Sequence, residues 1–112
     1  MLMKRNVMAG PGRSVLEDVP VPDIRPDELL VKIKYCGVCR SEHDAWKEAQ
    51  AGRLFGHEPV GTVARVGAEV TGFQAGDRVS GLSYPAMAEY VVFKANRTVK
   101  IPDELSDEDA MA

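Results

Sequence analysis

Both cysteines of this 112-residue chain fall in one short stretch, "CGVCRSEHDAW", Cys36 to Trp46. Thiols spaced C-x-x-C can form half of a zinc ribbon or a redox pair, or include one ligand whose partners lie elsewhere. A second stretch, "GHEPVGTVARVGAEV" (Gly56 to Val70), brings His57 and Glu58 between glycines ahead of a β-rich run. A catalytic zinc site needs soft or borderline ligands that converge from separate segments and leave one position open. Cys39 and His57 meet that need. Each follows a β-rich or glycine-bounded stretch at a turn, and the 17 residues between them suffice for a short helix and a loop. Zinc would also lower the pKa of Cys39, because the thiolate is the ligand form. Two ligands do not complete a site. The further donors nearby are Glu42, His43, Asp44 and Glu58, or a residue outside these 112. On residue types alone, His57 reads equally well as a hydrogen-bonded core histidine, and Glu58 as a solvated or capping acid.

The elements that must position these groups are mostly strands. "ELLVKIKYC" (Glu28 to Cys36) alternates with the period of two expected of a half-buried strand, Leu30, Lys32 and Lys34 on one side and Val31, Ile33 and Tyr35 on the other. Shorter β-rich runs are "SVLEDVP", "VGTVARVG", "AEYVVF" and "TVKIP", separated by the breakers "AGPG", "VPDIRPDE", "AGD" and "YPA". Strands so short and so regularly punctuated predict a barrel or a sandwich. Gly61 and Gly67 bracket "TVARV", where each can serve a tight bend or a close backbone approach. Two short helices are expected, "SEHDAWKEA" with Ser41 and Asp44 placed as a capping box, and "SDEDAMA" with Ser106 and Asp109 placed likewise.

Composition narrows the function classes. An apolar content of 45% and a mean hydropathy of -0.20 belong to a soluble globular domain, and the length to one core. No apolar run approaches the roughly 18 residues needed to cross a bilayer, and no signal-peptide apolar stretch follows the basic residues near the N-terminus. The expectation is a cytoplasmic protein without a membrane partner. The net charge is -3, with basic residues scattered among acids, so nucleic acid is not an expected partner either.

Taken together, the two stretches resemble a known family. "GHEPVGTVARVGAEV" fits the G-H-E-x2-G-x5-G-x2-V pattern of zinc-containing alcohol dehydrogenases, and "CGVCRSE" resembles that family's G-[IV]-C-x-[ST]-[DE] run at the right distance upstream. "GFQAGDRV" resembles its G-D-x-V turn, "MAEYVVF" its A-E-Y strand, and "VKIPDELSDEDAMA" its P-[DE]-x-[LV]-[ST] passage. The resemblance runs over essentially all of residues 1–112 and implies a mainly β, GroES-like, partly open barrel with a few short helices. That domain is the catalytic half of a medium-chain dehydrogenase.

The resemblance makes Cys39 and His57 zinc ligands, and Cys36 a core residue of the preceding strand. The C-x-x-C spacing is then a coincidence. Glu58 resembles the glutamate behind the metal that can approach or replace its water, Ser41 the hydroxyl that takes the alcohol's proton, and Arg40 a basic residue on the cofactor pyrophosphate. Glu42 stands where most relatives have aspartate. His43 is one residue earlier than the relay histidine, whose place Asp44 takes, so the end of the proton relay departs from the pattern. The four-cysteine lobe of relatives with a structural zinc has no counterpart in "GLSYPAMAEYVV", and no G-x-G-x-x-G of a Rossmann domain occurs. The function implied is the zinc- and substrate-binding half of an NAD(P)-dependent alcohol or polyol dehydrogenase, with one catalytic zinc and no structural zinc. Its expected partners are an alcohol or carbonyl substrate, the Rossmann domain of the full enzyme and, for the isolated chain, which is expected to be inactive, a second copy of itself. The rivals are a free-standing GroES-like binding module without catalysis and a zinc-free reductase of the same superfamily, which would keep the barrel but not need Cys39 and His57 together; their joint presence argues against the latter.

Overall fold

The computed structural model describes residues 1–37 and 40–107, and for Arg40 and Ser41 the backbone alone. A hairpin of β1 (Leu2–Gly10) and β2 (Arg13–Pro20) precedes β3 (Glu28–Gly37), α1 (Arg40–Trp46), β4 (Glu58–Val66), β5 (Arg78–Gly81), β6 (Tyr90–Lys94) and β7 (Thr98–Lys100). The last five strands form one sheet in the order β6-β3-β4-β5-β7, all neighbours antiparallel. Register shifts on either side of Val31–Ile33 insert bulges into the β3–β4 pair. Bulges raise the local twist, and the sheet curls into a mainly β, partly open barrel. No helix among the described residues is long and apolar enough to cross a membrane.

The β3 alternation is present beyond Lys32, whereas Glu28 to Val31 are all buried. In that half the strand is flanked on its two edges by β4 and β6, and side chains on both of its faces are buried. Leu29 and Val31 join Val63, Val79, Ala86, Val91 and Phe93 in the main core, against which Cys36 packs half-buried. Of the two roles expected of Gly61 the close approach is the one seen, although it lies within β4 rather than at a strand end. A Cβ there would stand 2.1 Å from the Lys32 carbonyl oxygen, and one on Gly67 2.3 Å from that of Pro26. Both are close-approach glycines.

Two strands are additions to the sequence reading. β1, "LMKRNVMAG", carries neither period. Its place comes from β2 and from contacts with the loop before β6, where Asn6 N–H donates to the Met87 carbonyl at 2.8 Å and Glu89 N–H to that of Lys4 at 3.0 Å. β5 is read in sequence as a turn; it becomes a strand because β4 and β7 flank it. Helix α1 is shorter than expected and begins at Arg40, so Ser41 falls inside its first turn. The second expected helix lies largely outside the described residues, which end at Asp107. There the Arg78 guanidinium holds the chain, donating to Asp107 Oδ1 at 2.9 Å and to the Leu105 carbonyl at 2.5 Å.

Candidate active site

Helix α1 carries an inward face at Glu42, Ala45 and Trp46, continued by Ala49, which is the i, i+3, i+4, i+7 spacing of a buried stripe. Ala49 joins Met8 and Phe55 in a second core cluster, and Ala45 and Trp46 pack on it. This stripe has an acid at its head. Docking of the apolar members therefore carries the Glu42 carboxylate under cover, its side chain only 10% exposed. One of its oxygens accepts the Gly56 N–H at 2.5 Å, and the other lies 3.4 Å from Nδ1 of His57.

Gly56 makes this geometry possible. Its φ of +99° lies in the region that favours glycine, and a Cβ would stand 2.6 Å from the Met87 nitrogen. Its carbonyl accepts the Ala86 N–H at 2.9 Å, and the carbonyl of His57 accepts that of Ser83 at 3.2 Å. The imidazole is thereby presented from a backbone held on both sides. Its Nε2 lies 3.4 Å from Oε1 of Glu58, the first residue of β4, and both side chains are 38% exposed. One imidazole thus has a carboxylate beside each ring nitrogen, Glu42 buried and Glu58 half open.

His57 and Glu42 open onto a cavity of about 270 Å3 with Arg53, Leu54, Phe55 and Tyr84, whose hydroxyl donates to the Leu54 carbonyl at 2.8 Å. Glu58 faces another, of about 340 Å3, together with Ser80, Leu82, Arg97 and Val99. His43 and Trp46 line a third, of about 330 Å3, with Asn6 and Ser14, which also reaches Glu42. His43 and Asp44 are both exposed. Cys36 sits directly behind the site, opposite Pro59 across the β3–β4 ladder. Burial pushes its thiol above the ordinary cysteine value, against the opposing effect of the Glu58 and His57 backbone N–H groups; Glu42 and Glu58 add a smaller push upward.

Of the residues singled out in the sequence, the fold brings Glu42 to His57 and its neighbour Glu58. Arg40 and Ser41 lie in the first turn of α1, their side chains outside the description, and Cys39 lies outside the described residues. Among the described residues no group of three or more histidine, cysteine, aspartate and glutamate side chains forms a metal-holding cluster. The donor set nevertheless suits a metal. A histidine with a carboxylate behind its distal nitrogen is the usual outer shell of a ligating imidazole, and Glu42 supplies that here. Sequence reasoning treated Glu42 as one more donor near Cys39. The signal that could have found its role is its place at the head of the apolar stripe.

The alcohol dehydrogenase GroES-like domain family matches residues 25–103, and the chain belongs to that family. It is 40% identical over 81 residues to an alcohol dehydrogenase of Cupriavidus necator, covering 70% of this chain and 22% of that protein. It is 32% identical over 128 aligned residues to an L-threonine 3-dehydrogenase of Escherichia coli O1:K1 / APEC, covering 83% of this chain and 38% of that protein. The crystal structure of human synaptic vesicle membrane protein VAT-1 homolog-like protein superposes with a TM-score of 0.89 at 28% identity, over 99% of this chain and 39% of that one. The chain thus spans well under half the length of these relatives.

Proposed function

We propose that the chain is the zinc- and substrate-binding part of an NAD(P)-dependent alcohol dehydrogenase. The observation that carries this reading is His57, set in a cavity wall with the buried Glu42 carboxylate 3.4 Å from Nδ1 and Glu58 3.4 Å from Nε2. The names of the two relatives support it from outside the structure.

In this reading His57 and Cys39 hold the metal, and Glu58 approaches it from the side of Nε2. What supports Cys39 is covalent reach: Gly37 pairs with Glu58 in the β3–β4 ladder, α1 begins at Arg40, and only Val38 and Cys39 lie between. Glu42 orients the imidazole and holds the proton at Nδ1, leaving Nε2 for the metal. Bound zinc would act as a Lewis acid on the substrate oxygen and lower the pKa of an alcohol toward neutrality. Ser41, in the first turn of α1, receives the alcohol's proton and passes it outward. Arg40 meets the pyrophosphate of the dinucleotide, for which a guanidinium fork is suited. No G-x-G-x-x-G occurs in these residues, so the hydride acceptor is to be held by a Rossmann domain outside them. The exposed Leu82, Tyr84 and Val99 are then a surface for that domain or, in the isolated chain, for a second copy.

Metal analysis tests the assignment. The chain should take up at most one zinc, and Cys39→Ser with His57→Ala should abolish uptake while Cys36→Ala leaves it unchanged. Full retention of zinc by the Cys39, His57 double variant would refute the site.

A further inference from the structure

We propose that the cavity beside His57 takes a small anionic substrate, a short hydroxy acid or its oxo form, and that Arg53 is the residue that grips the carboxylate. The inference rests on the dehydrogenase reading and adds the charge of the substrate to it. Arg53 lies in the passage between α1 and β4, where the backbone is pinned against β1. Its carbonyl accepts the Met8 N–H at 3.0 Å, and the neighbouring Gly52 N–H donates to the Met8 carbonyl at 2.8 Å. The guanidinium carbon stands over the Phe55 ring, 4.8 Å from its centroid. Phe55 is only 5% exposed and belongs to the core cluster under α1, so the platform for the cation is rigid.

A guanidinium carries its N–H donors in a planar fork that matches the paired oxygens of a carboxylate, and Arg53 is exposed. Among the described residues no carboxylate stands within ion-pair distance of Arg53. The acid that lines the same cavity, Glu42, has its oxygens turned to Gly56 N–H and to His57. A cation with no carboxylate partner among the described residues thus lines the same cavity as the imidazole proposed to hold the metal.

The remaining walls limit the frame of the ligand. Ala45, Leu54 and Phe55 are apolar, which suits a short aliphatic chain. The Tyr84 hydroxyl spends its proton on the Leu54 carbonyl and so offers only lone pairs to the cavity. The volume of about 270 Å3 falls below the roughly 300–1,000 Å3 that drug-sized ligands fill. A molecule of a few carbons is what fits, with its hydroxyl toward His57 and its carboxylate toward Arg53.

Lactate and propane-1,2-diol differ by one carboxylate and serve as the paired probes. Titrated into the 15N-labelled chain, lactate should shift the Arg53 side-chain Nε–H and the Phe55 and His57 amides saturably, with an affinity at least about tenfold above the diol's, as a hydrogen bond to a charged group requires. Arg53→Gln should weaken lactate at least about tenfold and leave the diol unchanged, and Arg53→Lys should recover part of the loss, the amide spectrum of each variant serving as the control for folding. Equal binding of the two probes, no saturable lactate shift, or lactate affinity unaltered in a folded Arg53→Gln chain would overturn the proposal. Zinc content measured on the same samples separates the two readings. Zinc held at His57 without lactate at Arg53 sinks this inference alone. Lactate gripped by Arg53 in a chain that takes up no zinc upholds the carboxylate site at Arg53 and sinks the metal assignment on which its role as a substrate site rests.

Discussion

Glu42→Ala is the perturbation that probes the site most directly, because one buried side chain holds both the loop and the ring. Removing the carboxylate leaves the Gly56 N–H without its acceptor in a buried position and His57 Nδ1 without its neighbour. An orphaned buried donor costs about 1–3 kcal/mol, and a chain of this size has only about 5–15 kcal/mol in all. A loss of about 2 kcal/mol is therefore expected, read as a lower urea midpoint with the slope unchanged. Glu42→Gln keeps an oxygen for Gly56 and should cost about 1 kcal/mol, the difference between a charged and a neutral hydrogen bond. Its amide nitrogen places a donor toward Nδ1, so the imidazole is held less well than by a carboxylate. Zinc affinity should fall in both variants by about 10–100-fold, as it does when the outer partner of a ligating histidine is removed. If Glu42→Ala unfolds at the wild-type midpoint and binds zinc as tightly, the argument that Glu42 orients His57 is wrong.

Further outcomes follow from the same geometry. Gly56→Ala combines a φ of +99° with a Cβ 2.6 Å from the Met87 nitrogen, whereas Gly72→Ala has a φ of +86° and open space; thermal unfolding should show a loss of about 1–2 kcal/mol for Gly72 and a distinctly larger one for Gly56. Lys94 and the Arg25 N–H hold the Glu28 carboxyl below its ordinary 4.5, and Arg78 and Lys34 hold that of Asp107 below 3.8. Depressed folded-state values mean that this stability is fully present above the unfolded values and is lost as pH falls through and below them. Lys94→Met and Arg78→Met should accordingly flatten the acid limb of a stability-against-pH curve below about 4.5, and an unchanged limb would count against both pairings. Because burial raises the Cys36 thiol, iodoacetamide at neutral pH should leave Cys36 unmodified until the chain is unfolded, as mass spectrometry of the labelled peptides would show.

Much of the scaffold was legible because it depends on local periodicity. The alternation from Lys32 to Tyr35, the short β-rich runs and their breakers are written residue by residue, and a two-residue period has few other uses. The glycine–histidine–glutamate passage and the Cys39 run were legible as a pair of motifs through their resemblance to the corresponding runs of zinc-containing alcohol dehydrogenases. β1 and β5 were not, because nothing in "LMKRNVMAG" or "RVSG" repeats; they are strands because neighbours from elsewhere in the chain complete their hydrogen bonds. The all-round burial of Glu28 to Val31 was hidden for the same reason, being a property of the layers around β3. What only the tertiary structure decided is where the side chains meet. Glu42 could be placed on the inward stripe of α1 by counting, but that its carboxylate finds both Gly56 and His57 depends on how α1 docks over Phe55. Arg53 offered no signal at all in sequence, because a lone arginine between a helix and a strand reads as an ordinary exposed cation, and only the fold sets it over the Phe55 ring at the rim of a cavity.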